Sequence, residues 1–389
     1  MNINKTKIFT MANVFSLNSK IWLSSPHMSG HEQEFIDEAF RSNWIAPLGS
    51  NVNGFENDIE SYLDQNSHVA VLSSGTAAIH LALIALNVNT GDEVICQTKT
   101  FIASVNPVVY IGAKPVFVDS EQDTWNMCPI LLEEAINDRI KKGNKPKAII
   151  VINLYGMPYK VRQIQAVSKK YGIPVIEDSA EAFGSSFEGV KCGTFGDISI
   201  LSFNGNKIIT TSGGGALISR NLAVKNRTIF LATQAKDPGL EYSHSSIGYN
   251  YRMSNISAGI GRGQMKVLDE HVKLRRRNYD YYYNELNTIK DISFLNEPDG
   301  FYTNRWLTCI ILTTKIMRDN IINLLAKNNI EARPSWKPMH LQPVFRDKPK
   351  YLNGVSENLY EKGICLPSGS NLSEKDLYRI VTLIKNYFE

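Results

Sequence analysis

Val175-Ile176-Glu177-Asp178 reads as a buried strand that ends in two acids. Its apolar, branched start shows no alternation with polar residues, the pattern of a strand covered on both faces. Comparable short runs occupy residues 69–72, 93–96, 115–118, 148–152, 174–177 and 198–203, and helical patterns lie between them at 77–86, 129–141 and 160–171. Strands alternating with helices predict an α/β fold whose parallel sheet is covered on both faces. Ligands of such sheets bind beyond the carboxyl ends of the strands. Glu177 and Asp178 stand at one such end.

Further along, the pattern changes. Residues 265–288 read as one long helix ending in the aromatic cluster Tyr279, Tyr281, Tyr282 and Tyr283. A strand at 306–312, a helix at 315–328, a loop rich in Pro and aromatic residues at 333–345 and a final helix at 373–388 follow. This order predicts a tail over residues 1–20, a large domain over 21–275 and a smaller C-terminal α/β domain over 276–389. The chain's 389 residues are enough for two such unequal domains.

Composition excludes several classes. Hydrophobic content of 43% and charged content of 21% are ordinary for a soluble globular protein. A net charge of +4 is too small for a nucleic-acid footprint. The one dense basic run, Lys273-Leu274-Arg275-Arg276-Arg277, reads as the solvated face of the long helix, with phosphate binding as the alternative. Five scattered cysteines without a C-x-x-C pair speak against a zinc site or a disulfide framework and for a reducing compartment. No apolar run approaches the ~18 residues that span a membrane, and the first twenty residues hold no signal-like apolar core. The expected location is the cytoplasm, with no nucleic-acid or membrane partner and no metal.

Lys207 closes the run Ser202-Phe203-Asn204-Gly205-Asn206-Lys207 at the end of the strand 198–203. A lysine amine near an acid on a strand end suits pyridoxal 5'-phosphate (PLP). The amine forms a Schiff base, and the carboxylate keeps the pyridine nitrogen protonated so that the ring accepts electrons. Ser73-Ser74-Gly75-Thr76-Ala77-Ala78 follows a strand and opens a helix. Its free N–H groups, the helix dipole and the Ser74 and Thr76 hydroxyls make an anion site, although an ordinary Ser/Thr cap has the same pattern. Phe101 is placed either to stack on a planar cofactor or to fill the core. Gly213-Gly214-Gly215 fit backbone crowding or positive φ as well as they fit a phosphate loop. His80, one turn into its helix, reads as a packed residue.

Together these segments resemble the DegT/DnrJ/EryC1/StrS family of PLP-dependent nucleotide-sugar aminotransferases. The resemblance is carried by the stretch around residues 74–83, by Ala113-Lys114-Pro115-Val116-Phe117-Val118-Asp119, by Ile176-Glu177-Asp178-Ser179-Ala180-Glu181-Ala182, by Ser202 to Lys207, and by Gly248-Tyr249-Asn250-Tyr251-Arg252-Met253. It covers residue 22 to the end. It implies the fold-type-I PLP-dependent transferase architecture, with a large mixed or parallel sheet, and a homodimer whose active sites are shared between subunits. It implies that Lys207 carries the cofactor and shuttles the proton, and that Asp178 pairs with the pyridine nitrogen. Gly75, Thr76 and Ser202 then hold the phosphate, Phe101 stacks on the ring, and Asn204 and Glu181 complete the cofactor site. Asn250 reaches the neighbouring subunit's phosphate, a role Arg252 is placed to share. Arg252, Trp336 and His340 are the substrate-contact candidates, His340 from Met339-His340-Leu341-Gln342-Pro343-Val344-Phe345.

The segment F-N-G-N-K-I-I-T-T-S-G-G-G resembles the aminotransferases that act at C-4 of a sugar rather than at C-3. Ser25-Pro26-His27-Met28-Ser29-Gly30 and Ile45-Ala46-Pro47-Leu48-Gly49 resemble the group acting on UDP-linked 4-keto-6-deoxy-N-acetylglucosamine, as in bacillosamine synthesis. The expected substrates are therefore L-glutamate and a UDP-linked 4-ketosugar. Arg333, Lys337 or the Arg275–277 run are candidates to meet the diphosphate. Perosamine synthases, which use a GDP-linked 4-ketosugar, carry a related F-x-G-N-K segment and are the alternative. A PLP-dependent deoxysugar dehydratase is remoter, because family members of that kind replace the lysine. So is a non-catalytic PLP-binding regulator, since no DNA-binding module is attached.

Overall fold

The computed structural model describes residues 19–64 and 66–389. Of the tail expected over residues 1–20, all but the last two residues lie outside the described residues. Strands β1 (His68–Leu72), β2 (Glu93–Gln97), β3 (Lys114–Val118), β4 (Ala148–Ile152) and β5 (Val175–Asp178) come first, the first four each followed by helical chain. The short pair β6 (Ser186–Phe187) and β7 (Val190–Lys191) precedes β8 (Ile198–Ser202) and β9 (Gly215–Ser219). The C-terminal third holds β10 (Ile292–Phe294), β11 (Phe301–Tyr302), β12 (Thr308–Leu312), β13 (Arg333–Pro334), β14 (Lys350–Tyr351) and β15 (Gly363–Leu366).

Eight strands form the central sheet, in the order β1-β9-β8-β5-β4-β2-β3-β14. From β8 to β14 every pairing is parallel. β9 runs antiparallel to both β8 and β1, so the sheet is mixed. The reason is local. The link from β8 to β9 contains no helix to carry the chain back over one face, so the chain simply returns. β4, Ala-Ile-Ile-Val-Ile, is buried at every residue, as its unbroken apolar run requires.

The helix Gly75–Ala85 is apolar on nearly all sides and buried along most of its length. Its N-terminus is fixed by Ser74, whose hydroxyl accepts from the N–H of Ala77. The helix Val161–Tyr171 instead buries only Val161, Ile164 and Val167 and ends on Gly172 in the left-handed conformation (φ 59°). One helix covers the sheet from inside the molecule, the other from its surface.

A second, four-stranded sheet, β10-β12-β15-β13, is antiparallel throughout. β14, from the same C-terminal part, pairs with β3 at the edge of the central sheet. A separate helix, Asn255–Met265, precedes the helix expected over 265–288, which spans Leu268–Leu286. The basic run on the second helix is not a solvated face. Three successive residues of a 3.6-residue helix point in three directions, and Arg275 points inward. Its Nη1 donates to the carbonyls of Trp306 (2.6 Å) and Ser368 (3.3 Å), and burial lowers its pKa to about 9. Arg276 pairs with Glu297 at 2.5 Å, and Arg277 donates to the carbonyl of Leu372 at 2.8 Å. The run ties the helix to the C-terminal part of the chain and leaves no free guanidinium at Arg275 for a diphosphate.

Candidate active site

The two acids that end β5 face opposite sides of the sheet, as successive strand residues must. Glu177 is wrapped. Its carboxylate accepts from the N–H groups of Gly193, Phe195 and Gly196, the side chains of Ser179 and Ser199, and Asn153 Nδ2. It thereby folds the 193–196 turn onto the sheet. A Cβ on Gly196 would stand 2.7 Å from the carbonyl of Ile198, so this turn excludes any larger residue.

Asp178 is held more sparingly. Oδ2 accepts from Ser104 Oγ at 2.7 Å, and Oδ1 accepts from the N–H of Ala180 at 3.1 Å. Ser104 in turn shares a 2.8 Å hydrogen bond with Thr100. Burial raises the Asp178 pKa, opposed by the Ser104 and Ala180 hydrogen bonds and by the charge of Lys207. A pyridinium N–H against this carboxylate would favour its ionised form in the same way.

Lys207 lies across from it. Its Nζ is 3.6 Å from Glu181 Oε1 and 4.2 Å from the centre of the Trp306 indole ring. Glu181 Oε2 accepts from the N–H of Tyr155 at 2.7 Å, and burial raises the Glu181 pKa to about 7 against the pull of Lys207. Tyr155 holds positive φ (55°), an uncommon conformation for a non-glycine residue, and this turns its N–H toward Glu181. Trp306 Nε1 donates to the carbonyl of Asn206 at 2.7 Å, so the ring is fixed beneath the lysine's own loop.

An aromatic wall continues from there. Trp336 lies 6.0 Å from Trp306, 5.1 Å from Tyr155 and 5.5 Å from Phe101, centre to centre. Phe101 itself is 54% exposed, so it presents a ring face and does not fill the core. On the other rim, helix and strand touch through glycines. A Cβ on Gly75 would stand 3.2 Å from Ser202 Cβ, and one on Gly215 would collide with the backbone of Ser74 and Gly75. A Cβ on Gly213 would meet nothing within 4 Å, whereas crowding explains Gly214 and Gly215. The same contact sets the first turn of the helix Gly75–Ala85, with Thr76, beside the Ser202 hydroxyl. Asp178, Lys207, Glu181, an open aromatic face and the helix N-terminus beside Ser202 fit PLP, with N–H groups at that terminus free to meet an anion.

A model of the DegT/DnrJ/EryC1/StrS aminotransferase family matches residues 26–385. The chain belongs to that family. EpsN of Bacillus subtilis (strain 168) is 49% identical over 376 residues, covering 96% of this chain and 97% of EpsN. GDP-perosamine synthase of Escherichia coli O157:H7 is 38% identical over 365 residues, covering 93% of this chain and 97% of the synthase. Among solved structures, Spr1654 of Streptococcus pneumoniae in its PLP-form superposes with a TM-score of 0.87 at 26% identity, covering 95% of this chain and 98% of that one. The protein is thus a PLP-dependent sugar aminotransferase with the fold of that family. Among the described residues, no helix is long and apolar enough to cross a membrane.

Not every expected contact of this aminotransferase joins the cluster. His340 is 3% exposed, with Nδ1 2.7 Å from Thr98 Oγ1 and Nε2 3.1 Å from Glu357. Both ring nitrogens are engaged, and the residue pins its turn to the end of β2 rather than offering an atom to a sugar. Arg252 Nη1 is bound to Glu56 Oε1 (2.5 Å) and to the carbonyl of Val71 (2.9 Å), a buried tie to β1. Arg333 is paired with Glu331 at 2.8 Å. Asn204 and Asn250 are exposed; Asn250 pairs with Thr233 through a β-bridge. His80 is packed in an aromatic cluster with Tyr110, Tyr249 and Tyr251.

Sequence reasoning missed Trp306, Tyr155 and Ser104. Trp306 lies a hundred positions from the loop it supports, and no local pattern marks it. Ser104 had a signal: a hydroxyl one turn beyond Thr100 in the segment that leaves β2.

Proposed function

We propose that this aminotransferase moves the amine of L-glutamate to C-4 of a UDP-linked 4-keto-6-deoxy-N-acetylhexosamine. The observation that carries the chemistry is the placement of Lys207 between Glu181 and Trp306, with Asp178 buried at the end of the neighbouring strand. PLP, when bound, supplies the electron sink that lets an amine move between carbon skeletons. Lys207 Nζ holds the cofactor and moves the proton between the reacting carbons. Asp178 Oδ2, braced by Ser104, keeps the pyridine N–H charged. Glu181 takes up or releases a proton near neutrality beside Nζ. The helix N-terminus at Gly75 and Thr76, with Ser202, binds the phosphate. One site serves glutamate and ketosugar in turn, as ping-pong kinetics require.

The choice of sugar rests on the resemblance of residues 25–30 and 45–49. Ser24 Oγ donates to the carbonyl of Asn206 at 2.8 Å, so this segment starts directly on the lysine loop. The identity to GDP-perosamine synthases supports the second reading, a GDP-linked 4-keto-6-deoxyhexose. Product analysis with matched UDP- and GDP-linked 4-ketosugars decides between them. Turnover at least about tenfold better with the UDP sugar is expected; the reverse preference installs the second reading. The active unit is read as a homodimer, supported by the exposed Trp44, Ile45, Leu48, Leu240, Tyr242 and Ile247 on a single protomer. Sedimentation of the active sample should give twice the chain mass, and a fully active monomer contradicts it.

Glu181 sets the expected pH dependence. With its pKa raised to about 7, the carboxyl protonates as pH falls through 7, and its charge beside Lys207 is lost. The acid limb of kcat/KM should fall near pH 7 with a slope of about tenfold per unit, the behaviour of one essential ionised base. Glu181→Gln keeps an acceptor for the Tyr155 N–H and should erase that limb. A raised carboxyl pKa means the folded state holds extra protons between about 4.5 and about 7. Its contribution to stability is therefore present at low pH and lost as pH rises through 7. The Gln variant should accordingly melt higher than wild type above pH 7. A retained limb and an unchanged melting profile would assign the titration to another group.

A further inference from the structure

Lys99 has no part in the site as described, yet it is fully buried at the point where the chain leaves β2. Its Nζ donates to Ser335 Oγ at 3.0 Å and to the carbonyl of Trp336 at 2.8 Å. Ser335 Oγ passes the bond on to the carbonyl of Leu359 at 2.6 Å. Among the described residues no carboxylate lies within ion-pair distance of it; Asp119, the nearest acid to act on it, spends its oxygens on the N–H groups of Ser120, Asn353, Gly354 and Ser356. The other groups acting on the amine are the buried thiols of Cys309 and Cys365, cross-strand neighbours on β12 and β15. Burial lowers the Lys99 pKa to about 7. A neutral amine keeps two N–H donors, and this site has two acceptors for them.

A buried amine without a counter-ion is unfavourable compared with the methionine or leucine that would fill the same space. What the amine adds is a hold on two consecutive residues, through the Ser335 hydroxyl and the Trp336 carbonyl. The backbone N–H of Trp336 is fixed from the opposite side, donating to Tyr155 Oη at 2.9 Å. Trp336 is thus clamped through its carbonyl by Lys99 and through its N–H by Tyr155, and its ring is set between Phe101 and Trp306.

We propose that Lys99 is a positioning residue that fixes Trp336 as the sugar-facing wall of the active site. This rests on the reading that Trp336 meets the nucleotide sugar. An indole ring whose residue is held at both its N–H and its carbonyl meets the apolar C–H face of a hexose without losing backbone freedom on binding. Glutamate, which presents no such face, does not use the wall.

The test compares wild type, Lys99→Met and Lys99→Gln in the PLP-loaded protein. Lys99→Met keeps the volume and removes both hydrogen bonds; Lys99→Gln restores one donor. Hydrogen–deuterium exchange across residues 335–342 should run about tenfold faster in the Met variant, the scale of one lost hydrogen bond, and lie between the two in the Gln variant. The KM for the ketosugar should rise about tenfold in the Met variant with kcat within about twofold, because binding alone is weakened. The KM for glutamate should stay as in wild type. Unchanged exchange, an unchanged sugar KM, or a joint fall of kcat with both KM values shifted alike overturns the proposal. If the Met variant does not fold, the Gln variant decides by the same measures. If wild type turns over no nucleotide-linked ketosugar, the proposed substrate fails, and the exchange measurement still decides whether Lys99 holds Trp336.

Discussion

Lys207→Ala removes the visible absorbance band of the lysine-bound cofactor and lowers kcat by at least about 10⁴-fold, since both the covalent attachment and the positioned proton carrier are lost. The fold should survive. The side chain contributes one ion pair, at 3.6 Å to Glu181, and one contact with the Trp306 ring. Removing it leaves Glu181 buried without its cation, so the acid should protonate at higher pH than in wild type, not unfold the site. Retained turnover, or a retained band, would move the role to another lysine. Lys99 is the one fully buried lysine among the described residues, and its Nζ is committed to Ser335 and Trp336.

Asp178→Asn should leave PLP bound and slow turnover by about 10²- to 10³-fold, the loss that follows removal of one preorganised electrostatic contact. The amide is nearly isosteric; its oxygen can still accept from the Ala180 N–H, while its NH2 group would donate to the Ser104 hydroxyl instead of accepting from it. What it cannot supply is the negative charge that holds a proton on the pyridine nitrogen. The measurement separates the two effects: cofactor occupancy from absorbance after dialysis, and the rate of the glutamate half-reaction from stopped-flow spectra. A near-normal half-reaction rate at full occupancy contradicts the role given to Asp178.

The parts of this molecule that the sequence made legible are those where chemistry and backbone geometry coincide locally. β5 reads as a buried strand because Val175 and Ile176 leave it no polar face, and Asp178 marks the site because an acid at a strand end faces the ligand edge of the sheet. The Ser74 cap and the glycines packed against it are also local signals, and the structure shows the crowding that Gly215 answers. What was not legible is whatever depends on chain segments far apart in sequence. Glu177 and Asp178 look alike in sequence; only the fold shows that one is consumed by the 193–196 turn. Arg275 reads as a solvated charge until helix geometry turns it toward the Trp306 carbonyl. His340 and Arg252 look available until the residue after β2, Thr98, and the Val71 carbonyl of β1 supply their partners. Trp306 reaches the lysine loop across a hundred residues, and its hydrogen bond to Asn206 leaves no trace in either segment.

The most direct test of the account follows nitrogen. The purified protein, loaded with PLP, is incubated with ¹⁵N-labelled L-glutamate and with UDP- and GDP-linked 4-ketosugars, and the products are analysed by mass and by NMR. The account predicts ¹⁵N on C-4 of the UDP-linked sugar, with 2-oxoglutarate formed in equal amount. An unlabelled UDP-linked sugar, or label found only on the GDP-linked sugar, contradicts it.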